Sequence, residues 1–374
     1  MVLPIPIFLG LVDMIQNLDN EMPCPSYSAL RDSWWNDVAT QTEIEEMDGS
    51  ADVESCLDCI EELFGVFLQK AGAQGWAARP SAERLEYARS LLALPQVAQR
   101  SQGWYEQSRN VLTASEFASV LGTERAVATL AMRKVEVAES ISYNHACSTG
   151  DMGPMDWGVR FEPVVKQILQ GLWGAEIQDV GRLMHPTDTH LAASPDGLIM
   201  AATDSARIGR LIEIKCPVKR GINGKIPFEY WCQMQIQMEV TGIDECDYIE
   251  VKLESPYKGG VYQPPAAGSV GETYKGFVWL LQNNDTLELK YAYTVEERDA
   301  FIGLETGWGV LEDIPWHLGA YFTETVSRDR AWFESTGPKR EAFWGKVMEA
   351  REGTLVMTPS QKRPKVEVCQ IMDD

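Results

Sequence analysis

The chain has 374 residues, 45% of them apolar, so it is long enough to bury a sizeable core and to hold two or three domains. Its formal charge of −22 argues against a protein that coats nucleic acid through overall charge, since affinity for a polyanion comes mainly from Lys and Arg. The acids are concentrated, however: residues 1–70 hold 14 of them against two basic residues, so the remainder is far less acidic.

Eight cysteines are spread along the whole chain. This spacing is unlike the dense framework of a small secreted protein and favours a reducing, intracellular compartment, with nucleus or cytoplasm left open. Cys56 and Cys59 form the one close pair, which we interpret as core residues rather than half of a zinc site. The apolar start, residues 1–11, lacks the basic segment of a signal peptide and is too short to span a membrane, so no membrane association is expected.

Residues 1–100 are predicted to form an acidic helical module. Apolar residues recur at three- and four-residue spacings over 51–70 and again over 82–92, which is typical of amphipathic helices. Three roles fit this composition. The module is an extra helical domain packed on a core, a docking surface, or an acidic segment that competes with DNA for a basic groove.

A capped helix is predicted next. Thr113 or Ser115 can cap a helix over 116–121, whose N-terminal amides favour an anion, and Arg109 lies just upstream of it. Taken alone, these residues also fit an ordinary capped helix with a surface arginine. A further helix is predicted over 126–140.

Glu162 lies on the following predicted helix, over 155–170. Pro163 indicates either a kink or a helix whose first turn holds Glu162. Residues 176–191 then alternate and predict one strand. We interpret His185 and His190, beside its end, as polar residues at the rim rather than metal ligands.

Two apolar runs follow, and both carry charged residues. Asp196 lies in a Ser-Pro-Asp-Gly turn that opens the first run, and Glu213 and Lys215 share one face of the second while Ile214 points away. If the runs pair as a hairpin, two carboxylates converge beside an ammonium group, as an oxygen-ligated metal and a water nucleophile require. An ordinary solvated strand also carries this pattern. The connection between the two runs, residues 201–210, is longer than the turn of a tight hairpin. We interpret it as a polar insertion that touches no motif residue.

The rest of the chain supplies one more motif helix and further strands. A helix over 228–242 ends at a glycine and places Gln233 and Gln237 on one side. Strands over 248–253, 276–281 and 286–292 are expected to extend the same sheet. Beyond residue 295 the chain is predicted to be helical, including 330–348. A basic run at 361–365 is a solvated end, an import signal or a DNA contact.

Four motifs in this order resemble the phage lambda exonuclease and YqaJ-like viral recombinase family of PD-(D/E)xK nucleases. They are Trp-x(n)-Arg-x(n)-Thr-Ala-Ser, Trp-Gly-x-x-x-Glu-Pro, Pro-Asp followed by Glu-x-Lys, and Tyr-x-x-Gln-x-Gln. The resemblance implies an α/β restriction-endonuclease-like core over residues 101–295, in which helices flank a central mixed sheet. Residues 1–100 would form the acidic helical module, and residues 296–374 a helical C-terminal extension with a basic tail.

The resemblance also implies a role for each motif residue. Four oxygen donors would hold Mg²⁺, with Mn²⁺ as a substitute: Asp196, Glu213, Glu162 and the carbonyl of Ile214. Lys215, with Gln233 near it, would orient the attacking water. Arg109 and Ser115 would bind the 5′-phosphate of a DNA end, and Trp104 would contact the DNA.

The activity implied is Mg²⁺-dependent exonucleolytic digestion of duplex DNA ends, with 5′→3′ polarity, in viral or phage-type recombination, replication or repair. The implied partners are duplex ends and a single-strand annealing protein, and relatives of the lambda type form trimers, so a homo-oligomer is one expectation. Two alternatives stay open. One is a structure-specific or nicking endonuclease on the same core. The other is a catalytically idle DNA-binding scaffold that recruits a partner through its acidic N-terminal module, which the intact acids and lysine disfavour.

Overall fold

The computed structural model describes residues 76, 79–99, 101–135, 152–302 and 307–357. All of them lie in the second of the two units into which the chain divides, Ala71–Asp374. The predicted helix over 51–70, the pair Cys56 and Cys59, and the basic run at 361–365 lie outside the described residues. Within the described ranges, no helix is both long and apolar enough to cross a membrane.

Helices and strands alternate along the described part of the chain. The helices are α1 (Ser81–Leu92), α2 (Gln102–Ser108), α3 (Phe117–Val120), α4 (Glu124–Arg133), α5 (Pro154–Trp173), α6 (Phe228–Thr241), α7 (Val270–Thr273), α8 (Val295–Ile302), α9 (Arg330–Ser335) and α10 (Gly337–Arg351). Short 3₁₀ turns occur at Ala114–Glu116 and Ser205–Arg207. The strands are β1 (Leu112–Thr113), β2 (Glu176–Gln178), β3 (Leu183–Met184), β4 (Leu191–Ala193), β5 (Gly197–Ala201), β6 (Leu211–Lys215), β7 (Glu245–Glu254), β8 (Lys275–Asn283), β9 (Leu289–Ala292) and β10 (Trp308–Ser327).

A seven-stranded mixed sheet in the order β2-β5-β6-β7-β10-β8-β9 forms the centre. Strands β6 and β7 run parallel, with Ile214 opposite Ile249, whereas the other neighbours in this sheet are antiparallel. A smaller sheet in the order β1-β4-β3 lies beside it, and its strands β1 and β4 are parallel. This arrangement brings the chain segments after β1 and after β4 to the same end.

Helices cover both faces of the central sheet because its strands alternate apolar side chains between two cores. Ile212 and Ile214 of β6 are buried with Phe161 of α5 on one side. Leu211 of the same strand is buried with Met234 of α6 on the other side. The predicted mixed sheet flanked by helices is therefore confirmed.

The predicted hairpin is also present, since β5 and β6 are antiparallel with Gly197 opposite Ile212. The insertion between them is tied down by buried charge. Arg210 binds Glu245 at 2.6 Å and Arg207 pairs with Asp247, so two acids of β7 hold the insertion against the sheet. These contacts stabilise the register of the strands that carry the motif.

Several local predictions are confirmed and others are wrong. Helices α1 and α6 and strands β7, β8 and β9 lie where they were expected. The single strand expected over 176–191 is wrong, because β2 pairs with β5 whereas β3 pairs with β4 in the other sheet. The alternative in which Glu162 lies in a first helical turn is also wrong, since Pro154 begins α5 and Pro163 lies inside it.

The expectation that the chain is helical beyond residue 295 is wrong for β10. This 20-residue strand lies inside the central sheet, between β7 and β8. It contains Pro315, which normally argues against a central strand, and it has irregular register near residues 311 and 319. The helical prediction for 330–348 is confirmed as two helices, α9 and α10.

A Gly197→Ala substitution is expected to lower the free energy of unfolding by about 1–3 kcal/mol, because it overpacks the hairpin. A methyl group there would lie 2.5 Å from Cγ2 of Ile177 and 3.2 Å from the carbonyl of Gln178. Urea denaturation of the purified protein measures the change.

The matched control is Gly345→Ala on α10, where a new Cβ has nothing within 4 Å. Alanine favours a helix interior over glycine by about 1 kcal/mol, so this variant should be slightly more stable than the wild type. Equal stability for the two alanine variants would contradict the account.

Candidate active site

The start of β5 and the end of β6 bring the first two predicted acids together. Asp196 immediately precedes Gly197, whose partner is Ile212, so Asp196 comes next to Glu213 across the hairpin. The Asp196 Oδ2 atom accepts a 2.7 Å hydrogen bond from the backbone N–H of Ile214. That bond fixes the carboxylate of Asp196 at the end of β6.

Glu213 and Lys215 form a buried ion pair on the face of β6 that α6 covers. Glu213 is fully buried, and its Oε2 accepts a 2.6 Å hydrogen bond from Nε2 of Gln237. The Nζ of Lys215 donates to Oε1 of Gln233 at 3.1 Å and lies 4.6 Å from the centre of the Tyr230 ring. Three side chains of α6, one turn apart, therefore hold the pair in place.

Charge crowding shifts the protonation of these groups. Burial raises the pKa of Asp196 well above its ordinary value, and the carboxylates of Glu213 and Glu162 raise it further, while Lys215 and the N–H of Ile214 oppose the shift. Burial alone would lower the pKa of Lys215, but Glu213 and Asp196 raise it above its ordinary value. Lys215 is therefore a stable cation, and the carboxylates around it favour additional positive charge.

Glu162, the third predicted acid, projects from the middle of α5. Its Oε1 accepts a 3.0 Å bond from Nζ of Lys166, which also binds Asp179 at 2.7 Å. Burial raises the pKa of the Cys216 thiol, and the carboxylates of Glu162 and Asp196 raise it further. Glu162 also raises the pKa of Asp196, so these groups belong to one charged region.

The predicted metal ligands fit a divalent cation by chemistry but are not assembled as ligands. Carboxylates and a backbone carbonyl are the donors that hard cations prefer, and crowding of the carboxylates favours a cation. Among the described residues, however, no three Asp, Glu, His or Cys side chains already lie close enough to hold an ion. In this arrangement Lys166 pairs with Glu162, while Lys215 and Gln237 bind Glu213.

Ser115 lies in an exposed 3₁₀ turn after β1. Of the two predicted caps, Thr113 precedes this turn, and its backbone N–H and its hydroxyl both donate to Oε2 of Glu116, at 3.1 and 2.7 Å. The Ser115 hydroxyl lies 3.4 Å from that of Thr113. Because Thr113 pairs with Ala192 of parallel β4, Ser115 and Ser194 follow their strands at the same end of the small sheet.

Trp104 links this turn to the acid site. Its indole Nε1 donates a 3.3 Å bond to Oγ of Ser194, two residues before Asp196. Arg109 is half-buried, and its guanidinium donates to the carbonyl of Val135 at 3.4 Å. The structure therefore connects Trp104 to the acid site, whereas the recorded side-chain contact of Arg109 leads to the end of α4.

Sequence reasoning missed the buried Lys134, which organises the turn. Its Nζ donates to the carbonyls of Ser108 and Val111 and to Oε2 of Glu116, at 2.7, 2.8 and 2.6 Å. The two carbonyls lie on either side of Arg109, so Lys134 fixes the backbone between Trp104 and Ser115. A lysine at the end of an amphipathic helix gives no sequence signal for this role.

The structure thus has an acid before one strand and Glu-x-Lys on the next, with helical glutamines behind them. Residues 103–244 match the model of the YqaJ-like viral recombinase domain. The resemblance expected from the four motifs is thus confirmed over this segment, and the match supports a nuclease role.

One curated relative, an uncharacterized protein R354 of Acanthamoeba polyphaga mimivirus, is 28% identical over 178 residues. The match covers 43% of this chain and 30% of the relative, so the chain spans less than a third of that protein's length.

Solved structures of exonucleases are also similar to this chain. The alkaline exonuclease LHK-Exo from Laribacter hongkongensis is 21% identical, with a TM-score of 0.39, and the match covers 68% of this chain and 95% of that one. LHK-Exo in complex with dAMP gives the same identity and coverage and a TM-score of 0.38. A phage-related exonuclease from Haemophilus somnus is 13% identical, with a TM-score of 0.28, over 66% of this chain and 92% of that one.

A Gln237→Leu substitution is expected to lower the free energy of unfolding by about 1–3 kcal/mol, because the buried Oε2 of Glu213 loses its amide donor. Urea denaturation at pH 8 with EDTA present measures the loss.

Gln102→Leu is the control, since its amide also donates to a glutamate, Glu106, but on an exposed helix surface. That variant should stay within about 0.5 kcal/mol of the wild type. A Gln237→Leu protein as stable as the control would show that the bond to Glu213 contributes nothing.

Proposed function

We propose that this chain is a Mg²⁺-dependent deoxyribonuclease that hydrolyses phosphodiesters from the ends of duplex DNA with 5′→3′ polarity. The observation that supports it most strongly is the meeting of Asp196, Glu213 and Lys215 at the end of β6, with Lys215 held by Gln233. The match of residues 103–244 to the YqaJ-like viral recombinase domain supports the same activity.

The residues that would hold Mg²⁺, with Mn²⁺ as a substitute, are the four predicted oxygen donors: Asp196, Glu213, Glu162 and the carbonyl of Ile214. Such ions activate water and stabilise the leaving oxygen of a phosphodiester when they are bound. Binding would draw Glu162 away from Lys166, and a cation would offset the burial and the carboxylate repulsion that raise the pKa of Asp196.

Lys215 positions the attacking water. Glu213 and Asp196 keep its ammonium group charged, and Gln233 and the Tyr230 ring fix its direction, so it donates a hydrogen bond from a preorganised position. Gln237 acts one step further back by holding the carboxylate of Glu213.

The terminal phosphate is bound at the other end of the site. The exposed hydroxyl of Ser115 and the indole of Trp104 lie on the segment that Lys134 and β4 hold beside Ser194. The guanidinium of Arg109, which now donates to the carbonyl of Val135, would turn toward the phosphate when DNA binds. This assignment favours an end-specific exonuclease over an endonuclease. The process is recombination, replication or repair of a viral or phage type. A single-strand annealing protein is the proposed partner, and the chain acts as a homo-oligomer, a trimer by family resemblance.

A Glu213→Ala, Lys215→Ala double variant is expected to lose at least about 100-fold in the rate of end-labelled duplex degradation, because it lacks both a metal ligand and the group that positions water. The assay compares the variants in Mg²⁺, in EDTA, and after Mg²⁺ is restored.

Lys275→Ala, an exposed lysine on β8, is the control and should keep the wild-type rate. Persistent Mg²⁺-dependent activity in the double variant would reject the assigned site. Activity of the wild type on covalently closed circles would replace the exonuclease with the endonuclease alternative.

A Ser115→Ala substitution is expected to raise KM for 5′-phosphorylated duplexes by about 10–100-fold, because a hydrogen bond to a charged group contributes about 1.5–3 kcal/mol. Duplexes that end in a 5′-hydroxyl should be affected much less.

Ser90→Ala on the exposed surface of α1 is the matched control. Equal losses on both kinds of end in the Ser115 variant would mean that its hydroxyl does not bind the terminal phosphate.

A further inference from the structure

A buried arginine lies directly against the proposed end-binding segment. Arg182 forms an isolated bridge with Val97 just before β3 and is only 1% exposed. Its guanidinium lies 4.2 Å from the centre of the Trp104 ring, and Nη1 donates to the carbonyl of Trp104 at 2.6 Å. Arg182 therefore holds both the backbone and the indole of Trp104.

The other donors of this guanidinium are not satisfied by the described residues. Nε and Nη2 of Arg182 are buried and have no hydrogen-bond partner there. Burying an arginine without full pairing is costly, because its charge loses the solvation that water provides. Buried donors that protein groups leave unpaired are completed by water, by an ion or by a bound ligand.

The charges around Arg182 do not balance within the described residues. Lys134 is also buried, but its three recorded bonds go to two carbonyls and to Glu116. Glu116 pairs with Lys134 at 2.6 Å, whereas Arg182 has no ion-pair partner among the described residues. Burial lowers the pKa of Arg182 to about 10, which still leaves it protonated at neutral pH. This region therefore has an excess of positive charge in a chain of strongly negative net charge.

The contacts of Trp104 connect Arg182 to the residues next to the acid site. From the ring that Arg182 supports, Nε1 donates to Oγ of Ser194, and Ser194 lies two residues before Asp196. The exposed Ser115 follows β1 at the same end of the small sheet as Ser194 follows β4. A doubly charged terminal phosphate bound there would balance the buried cation.

We propose that Arg182 is a positioning residue for the 5′-phosphate of the DNA strand, which holds Trp104 against Ser194 and supplies the unbalanced positive charge beneath the phosphate. The inference rests on the proposed function. It makes the preference for phosphorylated ends depend on a residue that the four motifs do not contain.

The test measures kcat/KM on duplexes with 5′-phosphate and 5′-hydroxyl ends, and takes the ratio of the two as the preference for phosphate. Arg182→Met removes the charge and is expected to reduce this preference at least tenfold. Arg182→Lys loses the guanidinium contacts with Trp104 but keeps the positive charge. Because the charge is retained, this variant should keep most of the preference. A purely structural role would lower activity on both ends equally, and an unchanged ratio in folded Arg182→Met would overturn the proposal.

Arg298→Met is the matched control, since Arg298 also lies over a tryptophan, Trp279, at 4.9 Å, but this tryptophan is on β8, near the other edge of the central sheet. Its preference for phosphorylated ends should equal that of the wild type.

A second measurement covers the case in which Arg182→Met does not fold. Arg182→Gln, which removes the charge but keeps a polar group, forms a cycle with Ser115→Ala and the double variant. Two residues that act on one phosphate should give losses of preference that do not multiply. Independent losses would overturn the inference. Failure of the wild type to degrade duplex ends with Mg²⁺ would instead reject the proposed function, so the two failures are distinguishable.

Discussion

The buried ion pair between Glu213 and Lys215 is the interaction on which the site depends. Two charges in a buried position are costly unless further hydrogen bonds satisfy them. Helix α6 provides those bonds through Gln233 and Gln237, which lie one turn apart on the face that covers β6. The same contacts fix where the ammonium and carboxylate groups point, so the stability of the pair and the geometry of the site have a common origin.

Long-range contacts hold that pair in register. Arg207 and Arg210 tie the insertion between β5 and β6 to acids of β7, and the paired strands bring Asp196 beside Glu213. A second set of buried cations does the same for the end-binding segment. Lys134 fixes the backbone around Arg109, and Arg182 fixes Trp104. In both places a buried Arg or Lys side chain fixes the position of a backbone segment that the short motifs alone do not determine.

The sequence was informative where chemistry and local pattern coincide. The Ser-Pro-Asp-Gly turn and the alternation around Glu213 predicted the hairpin, and the four-residue spacing of Gln233 and Gln237 predicted a shared helix face. Local pattern failed for β10, because its partners β7 and β8 are distant in the chain and Pro315 masks the alternation. It also failed for Arg182, whose partner Trp104 is 78 residues away. The gathering of Asp196, Glu213 and Glu162 was predicted only in part, since Lys166 draws Glu162 into another ion pair.

The central claim is that the acids around Lys215 bind a divalent cation when one is supplied. Crystals of the protein soaked in Mn²⁺ and measured at the manganese absorption edge test it most directly. The account predicts an anomalous peak in contact with Asp196, Glu213 and the carbonyl of Ile214, with Glu162 released from Lys166. Manganese bound elsewhere, with Glu213 still paired to Lys215 and Gln237 at saturating Mn²⁺, would contradict it.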